Sequence, residues 1–293
     1  MDHFDANGME KCSTMKNIDS KTVSSFGDEW SRFDQDALEA AEHDFLFQTY
    51  FGIFPWESLP DGAQGFDMGC GSGRWAILVG PKVGTLTCID PSPEALAVAQ
   101  RKLSHLSNVH FVNASVSDQA LPRESQDFGY SLGVLHHVPD TLSALRDCVT
   151  LLKPGAPFLV YLYYKFDNRP RWFVLLWRIS DILRRIISVL PSRIKSMVTD
   201  LLAVMVYFPL SRVALAGENL GLKVGHWPLS SYRQTSFYTM RTDSRDRFGT
   251  PLEQRFTRQE ITEMMQDAGL TDIQFSESFP FWCAVGRRGP IEQ

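Results

Sequence analysis

The stretch Gly65-Phe66-Asp67-Met68-Gly69-Cys70-Gly71-Ser72-Gly73-Arg74-Trp75 constrains this chain more than any other. An apolar approach ends in an acid, three glycines follow at alternate positions, and a helix-compatible run comes next. The stretch therefore reads as a strand turning sharply into a helix. Glycine suits such a turn because it tolerates positive φ and lets a ligand approach the backbone. A dinucleotide site of the same wiring spaces its glycines Gly-x-Gly-x-x-Gly. Here the spacing is Gly69-x-Gly71-x-Gly73 behind Asp67, and the pyrophosphate fingerprint is not met.

The following hundred residues repeat the strand-helix rhythm. Gly84 to Asp90 reads as a second buried strand that also ends in an acid, followed by Pro91. A carboxylate there is able to accept hydrogen bonds from both hydroxyls of a ribose. Pro93 to Leu103 has helical apolar spacing with proline in the first turn. Asn108 to Val112 is a third strand, leading to Ser115 and Val116, and the stretch Ser125 to Asp140 holds a further apolar strand and the loop with His136 and His137. A helix from Thr141 to Leu152 stops at Lys153-Pro154-Gly155, and Ala156 to Tyr164 reads as a fully buried fifth strand. This is the pattern of a doubly wound parallel sheet, whose ligands sit beyond the carboxyl ends of the strands. Asp67, Asp90, Ser115 and His136 all fall at such ends.

The Asp-x-Gly-x-Gly-x-Gly run resembles motif I of class I S-adenosylmethionine-dependent methyltransferases. The run Ser125-Gln126-Asp127-Phe128-Gly129-Tyr130-Ser131-Leu132-Gly133-Val134-Leu135-His136-His137-Val138-Pro139-Asp140 resembles the fourth strand and loop of the ubiquinone and menaquinone type. The resemblance implies an α/β fold: a doubly wound, mostly parallel, seven-stranded sheet with a helical cap insertion. It implies S-adenosylmethionine as cofactor and S-adenosylhomocysteine as product, held by Asp67, Gly69, Gly71, Gly73, Asp90, Pro91, Ser115, Val116 and Leu132, with Asp67 and Asp90 facing one crevice. Ser115 stands where relatives often carry an Asp near the adenine amino group, which leaves the Val116 amide to serve the ring. The Asp/Asn-Pro-Pro-Tyr/Phe run of amino-base methylating relatives is missing after the fourth strand. No His, Asp, Asn and Lys set like that of metal-dependent catechol methyltransferases is recognisable, so no metal is expected. A base is needed only where the acceptor must lose a proton, and His136, His137 and Tyr163 are the candidates.

A net charge of −5 over 293 residues argues against a protein that grips a nucleic acid backbone. Cys12, Cys70, Cys88, Cys148 and Cys283 are odd in number and share no Cys-x-x-Cys spacing, which suits a reducing compartment, and no secretory signal is evident. A cytoplasmic location is expected, peripheral to the inner face of a membrane if the cap binds lipid. Four regions follow: an aromatic pre-core segment 1–60, poorly ordered to about residue 24; a cofactor-binding core 61–164; a helical insertion 165–256; and a completion of the sheet, 257–293. The pre-core run Phe26-Gly27-Asp28-Glu29-Trp30-Ser31-Arg32-Phe33 looks like one that relatives fold over the cofactor; a helix packing its aromatics on the core fits it too. Between 165 and 215 nine basic residues face three acids, and apolar residues recur at helical spacing around Pro191 and Pro209. Helices lying on an anionic membrane surface through 170–216 fit this pattern. So does a lid that buries the same residues on the sheet or against a second subunit in a homo-oligomer. The expected function is methylation of a small-molecule acceptor, either hydrophobic (a quinone, lipid or glycolipid precursor) or a small thiol or other soluble metabolite. A cofactor-binding partner subunit without transfer activity is the reading from a different class.

Overall fold

The computed structural model describes residues 17–33, 38–277 and 279–290. A helix α1 (Ser20–Arg32) comes first, its N-terminus capped by the Asp19 carboxylate, which accepts the Thr22 N–H at 2.8 Å. The expected disorder up to residue 24 is thus corrected from residue 20 onward; residues 1–16, Cys12 among them, lie outside the described residues. Helix α2 (Ala40–Phe51) leads into the core.

The core alternates β1 (Gln64–Met68), α3 (Ala76–Val79), β2 (Thr85–Asp90), α4 (Pro93–Lys102), β3 (Val109–Asn113), β4 (Phe128–Leu132), α5 (Thr141–Leu151) and β5 (Pro157–Tyr161). The fifth strand is shorter than expected, because the chain leaves the sheet after Tyr161. The insertion folds as α6 (Arg171–Ser188), α7 (Ser192–Leu202), a π-helical turn (Ala203–Tyr207), α8 (Phe208–Asn219) and α9 (Phe237–Gly249). Pro191 separates α6 from α7. Pro209 breaks nothing, since it falls in the first turn of α8 just beyond the π turn. The chain re-enters the core where it left: Phe256 N–H donates to Tyr163 O, and Lys165 N–H to Phe256 O, both at 2.8 Å. Then come α10 (Arg258–Asp267), opened by a reciprocal Thr257–Glu260 capping box, β6 (Leu270–Phe275) and β7 (Cys283–Arg288).

The seven strands lie in the order β3-β2-β1-β4-β5-β7-β6, parallel except for β7, which runs antiparallel to both neighbours. Alternation along the strands divides the core. Phe128, Tyr130, Leu159 and Tyr161 pack with α2, α3 and α4, while Phe66, Phe158 and Val160 pack with α5 and α10. Two glycines on neighbouring strands make room for rings: a side chain at Gly65 would strike Phe128, and one at Gly129 would strike Phe66. A smaller cluster of Ile187, Tyr207, Met240 and Phe248 holds the insertion together.

Candidate active site

A cavity of about 1280 Å³ opens at the carboxyl ends of the parallel strands and runs up beneath the insertion. Its floor is the glycine turn. Gly69, Gly71 and Gly73 all have positive φ, at +80°, +53° and +76°. A side chain at Gly71 would meet the Trp30 indole of α1 at 2.9 Å, and one at Gly73 would meet Leu103 at 2.8 Å. The aromatic segment before the core therefore lies across the turn, with Phe26 and Trp30 on the cavity wall.

Gly69, Gly71, Asp90, Pro91, Ser115, Val116, Leu132, His137 and Tyr163 all line this cavity. Asp90 is fixed there by two backbone donors: Gly71 N–H reaches one carboxylate oxygen at 2.9 Å and Ser92 N–H the other at 2.8 Å. Each oxygen keeps a lone pair for a further donor. Burial pushes the Asp90 carboxyl up to about 6 against the pull of those two N–H groups. Ser115 is occupied locally, its N–H and hydroxyl both donating to Asp118.

Three residues expected at the site lie behind its wall. Asp67 is 1% exposed, because β1 continues one residue further and the wall begins at Met68. Its side chain points into the layer that holds the Tyr130 hydroxyl, and burial lifts its pKa to about 8 against the pull of that hydroxyl. Asp67 and Asp90 therefore do not share the crevice. Gly73 belongs to the contact between the turn and α4. His136 and His137 fall in one turn of 3₁₀ helix, Leu135–His137, where successive side chains diverge by about 120°. The cavity receives the second only. The His136 ring lies 3.8 Å from the Tyr163 ring, centroid to centroid, and burial holds its pKa well below the ordinary value. His137 Nδ1 donates to Leu252 O at 2.6 Å, and burial pushes the ring down to about 4. Both imidazoles are neutral at pH 7.

The insertion supplies groups that the sequence reading passed over. Asp243 and Asp246, three residues apart on α9, present their carboxyls to the same cavity. Tyr163 donates its hydroxyl to Asp246, and the Tyr232 hydroxyl bonds Asp243. Burial raises each carboxyl to about 6. Arg247 and Arg255, also on the wall, are held by Glu253, with nitrogen-to-oxygen distances of 2.9 and 2.7 Å. Glu253 lies low: burial pushes it up, and the two guanidiniums more than offset that. Acids at i and i+3 were the one signal in the sequence for this pair. Near the glycine turn Ser72 Oγ and Arg74 Nε are buried without a partner among the described residues. Among the described residues no group of three or more His, Cys, Asp or Glu side chains is gathered as a metal site.

Residues 66–160 match the family described as a methyltransferase domain. Over 99 residues, 32% of this chain and 41% of the relative, the sequence is 35% identical to the demethylmenaquinone methyltransferase of Staphylococcus haemolyticus. Over 100 residues, 32% of this chain and 40% of the relative, it is 38% identical to the enzyme of that name from Staphylococcus aureus. The chain thus spans about two fifths of the length of the curated relatives it matches. Among solved structures, the S-adenosylmethionine-dependent methyltransferase SibL in its apo form aligns with a TM-score of 0.50 at 14% identity, over 85% of this chain and 56% of that one. That is a likeness of fold.

Proposed function

We propose, for a chain whose residues 66–160 belong to the methyltransferase domain family of class I S-adenosylmethionine-dependent enzymes, that it methylates a small hydrophobic or membrane-derived acceptor such as a quinone, lipid or glycolipid precursor. The observation that carries this reading is Asp90, anchored on the glycine turn by Gly71 and still able to accept, in a cavity that continues to the carboxyls of α9. The quinone-type relatives and the apolar insertion support the hydrophobic acceptor.

The residues present fit the cofactor. Asp90 suits the two ribose hydroxyls, and the unpartnered Ser72 Oγ and Arg74 Nε suit a carboxylate at the turn. When bound, S-adenosylmethionine supplies an electrophilic methyl carbon, so the reaction needs an acceptor lone pair in line with the carbon–sulfur bond. Tyr163 and Asp246 hold the acceptor's polar head at the mouth of β5. Where that head is a hydroxyl or other protic group, Asp246 takes its proton, because its carboxyl ionises near pH 6 and is charged at neutral pH. His137 only positions the wall: its Nδ1–H is spent on Leu252 O, and its Nε2 is buried. Phe26, Trp30 and Tyr50 cover the site and exclude water.

Calorimetric titration with S-adenosylmethionine and S-adenosylhomocysteine tests the reading. One-to-one binding of both is expected, and a chain that binds neither overturns it. Binding without turnover on quinones, phenols, lipids, glycans and thiols would instead identify a cofactor-binding partner.

A further inference from the structure

The helices α6, α7 and α8 of the insertion are amphipathic in reverse. On α6 the apolar residues Trp172, Leu175, Ile179, Ile182, Leu183 and Ile186 recur at three and four, the spacing of one helix face, and all of them are exposed; Ile182 is 61% exposed. The face that α6 buries carries one apolar residue, Ile187, beside Asp181, Arg184 and Ser188. The same inversion continues along the unbroken helical stretch Ser192–Asn219, where Met197 is 73% exposed and Leu201 and Met205 lie open beside it, while Lys195 and Thr199 are buried.

The buried polar faces have a cause. Arg184 donates to Thr250 O at 2.9 Å and pairs with Asp181 at 2.7 Å, and Lys195 donates to Gly249 O at 3.0 Å. Both cations thereby satisfy the carbonyl end of α9, where a helix carries partial negative charge. Ser244 adds a buried bond to Thr199 O at 2.9 Å. With these contacts made inward, the apolar stripes turn outward as grouped rather than singly scattered exposed residues.

The charge around the stripes identifies what covers them. Arg171, Arg178, Arg185 and Arg193 are exposed along the same helices. The acids between residues 171 and 215 are Asp181 and Asp200, both engaged in ion pairs with Arg184, Arg185, Arg32 or Arg241. A second copy of this face would oppose arginine to arginine, whereas anionic headgroups above an apolar layer match both the cations and the stripes. The cavity opens here as well: Leu176, Val206 and Leu210 are at once cavity wall and exposed surface between α6 and α8.

We propose that the outward face of α6, α7 and α8 docks on an anionic lipid bilayer, with the polar faces of the helices kept on the protein and no segment crossing the membrane. The cavity mouth between α6 and α8 then meets the acyl layer, so that an amphiphilic acceptor enters without passing through water. That consequence rests on the methyl-transfer reading; the docking itself does not.

The test is sedimentation of the full chain with vesicles of phosphatidylcholine, with and without phosphatidylglycerol. Binding is expected to the anionic vesicles and to weaken with added salt. Arg178→Gln with Arg193→Gln lowers partitioning roughly twentyfold, at about fivefold per cation near an anionic surface. Leu175→Glu with Ile182→Glu lowers it by roughly a hundredfold or more while the melting curve stays native, since both side chains are exposed. Absence of binding to either vesicle overturns the proposal. So does a concentration-dependent dimer in ultracentrifugation that Leu175→Glu with Ile182→Glu makes monomeric. S-adenosylhomocysteine titrated into the same samples keeps the two ideas apart, because vesicle binding without nucleoside binding sinks the methyl-transfer reading and leaves the docking in place.

Discussion

Replacing Asp90 by Asn separates ligand binding from folding, because the two effects of the change oppose each other in the apo protein and not in the complex. The carboxylate accepts Gly71 N–H at 2.9 Å and Ser92 N–H at 2.8 Å. An amide has only one oxygen, so one of these donors is left facing an NH₂ group, at a cost of about 1–3 kcal/mol. Against that, the wild-type carboxyl is lifted by burial from 3.8 to about 6, and removing a charge so disfavoured returns about 3 kcal/mol at neutral pH. The stability of the apo protein therefore changes little. Binding has no such compensation. Two hydroxyl donors to a carboxylate become donors to a neutral amide, and the loss is about 3 kcal/mol, or roughly a hundredfold in Kd. Calorimetry with S-adenosylhomocysteine at pH 7.5, with urea unfolding of both proteins alongside, reads the two quantities separately. The wild-type affinity also weakens as pH falls below about 6, since the hydroxyls bind the charged carboxylate, and Asp90→Asn removes that dependence. A Kd within threefold of wild type in a variant that unfolds normally would refute the placement of the ribose.

Two further outcomes follow from the buried carboxyls. Asp67, lifted to about 8 in the folded chain, binds its proton more tightly folded than unfolded, so its contribution to stability is present at low pH and is lost as pH rises through 8. Between pH 6.5 and 8 the apo wild type should therefore lose about 2 kcal/mol more than Asp67→Asn in urea unfolding; equal slopes in the two proteins contradict the buried placement. Asp246→Asn should lower kcat roughly a hundredfold for an acceptor that must lose a proton, leave the S-adenosylhomocysteine Kd unchanged and remove the acid limb of the rate profile near pH 6; an unchanged kcat on such an acceptor rules the carboxylate out as base.

The glycine turn and the sheet were legible because their physics is local. Positive φ at 69, 71 and 73 demands glycine, and a strand buried on both faces reads as an apolar run, as β5 does at Phe158-Leu159-Val160. The helix α10 is likewise local, opened by the capping box of Thr257 and Glu260. What stayed hidden depended on one residue of register or one turn of helix. Asp67 reads as a strand terminus, yet Met68 still pairs with Ile89, and that single further step turns the carboxyl away from the cavity. His136 and His137 are equal candidates in sequence, and a turn of 3₁₀ helix sends them in different directions. Asp246 has no signature beyond its spacing from Asp243, since only the re-entry of the chain at Phe256 brings α9 over Tyr163.

The insertion poses the opposite problem, because its periodicity is plain and its direction is not. An apolar stripe at three-and-four spacing fixes which residues share a face, and it is silent on whether that face meets protein. Burial of the stripe is the common outcome, and a lid lying apolar side down on the sheet was one of the readings that the pattern allowed. The structure corrects it through polar groups that have nowhere else to go. The last carbonyls of α9, at Gly249 and Thr250, need donors, and Lys195 and Arg184 reach them only if α7 and α6 turn their charged faces inward. Asp200 adds ion pairs to Arg32 of α1 and Arg241 of α9, which tie the same face to two neighbours. Truncating Leu175 or Met197 removes no packing that these bonds rely on, whereas truncating Arg184 leaves Asp181 and the Thr250 carbonyl short of a partner. In this insertion the charges set the orientation together with the small cluster of Ile187, Tyr207, Met240 and Phe248, and the remaining apolar residues of α6 and α7 are left for the outside.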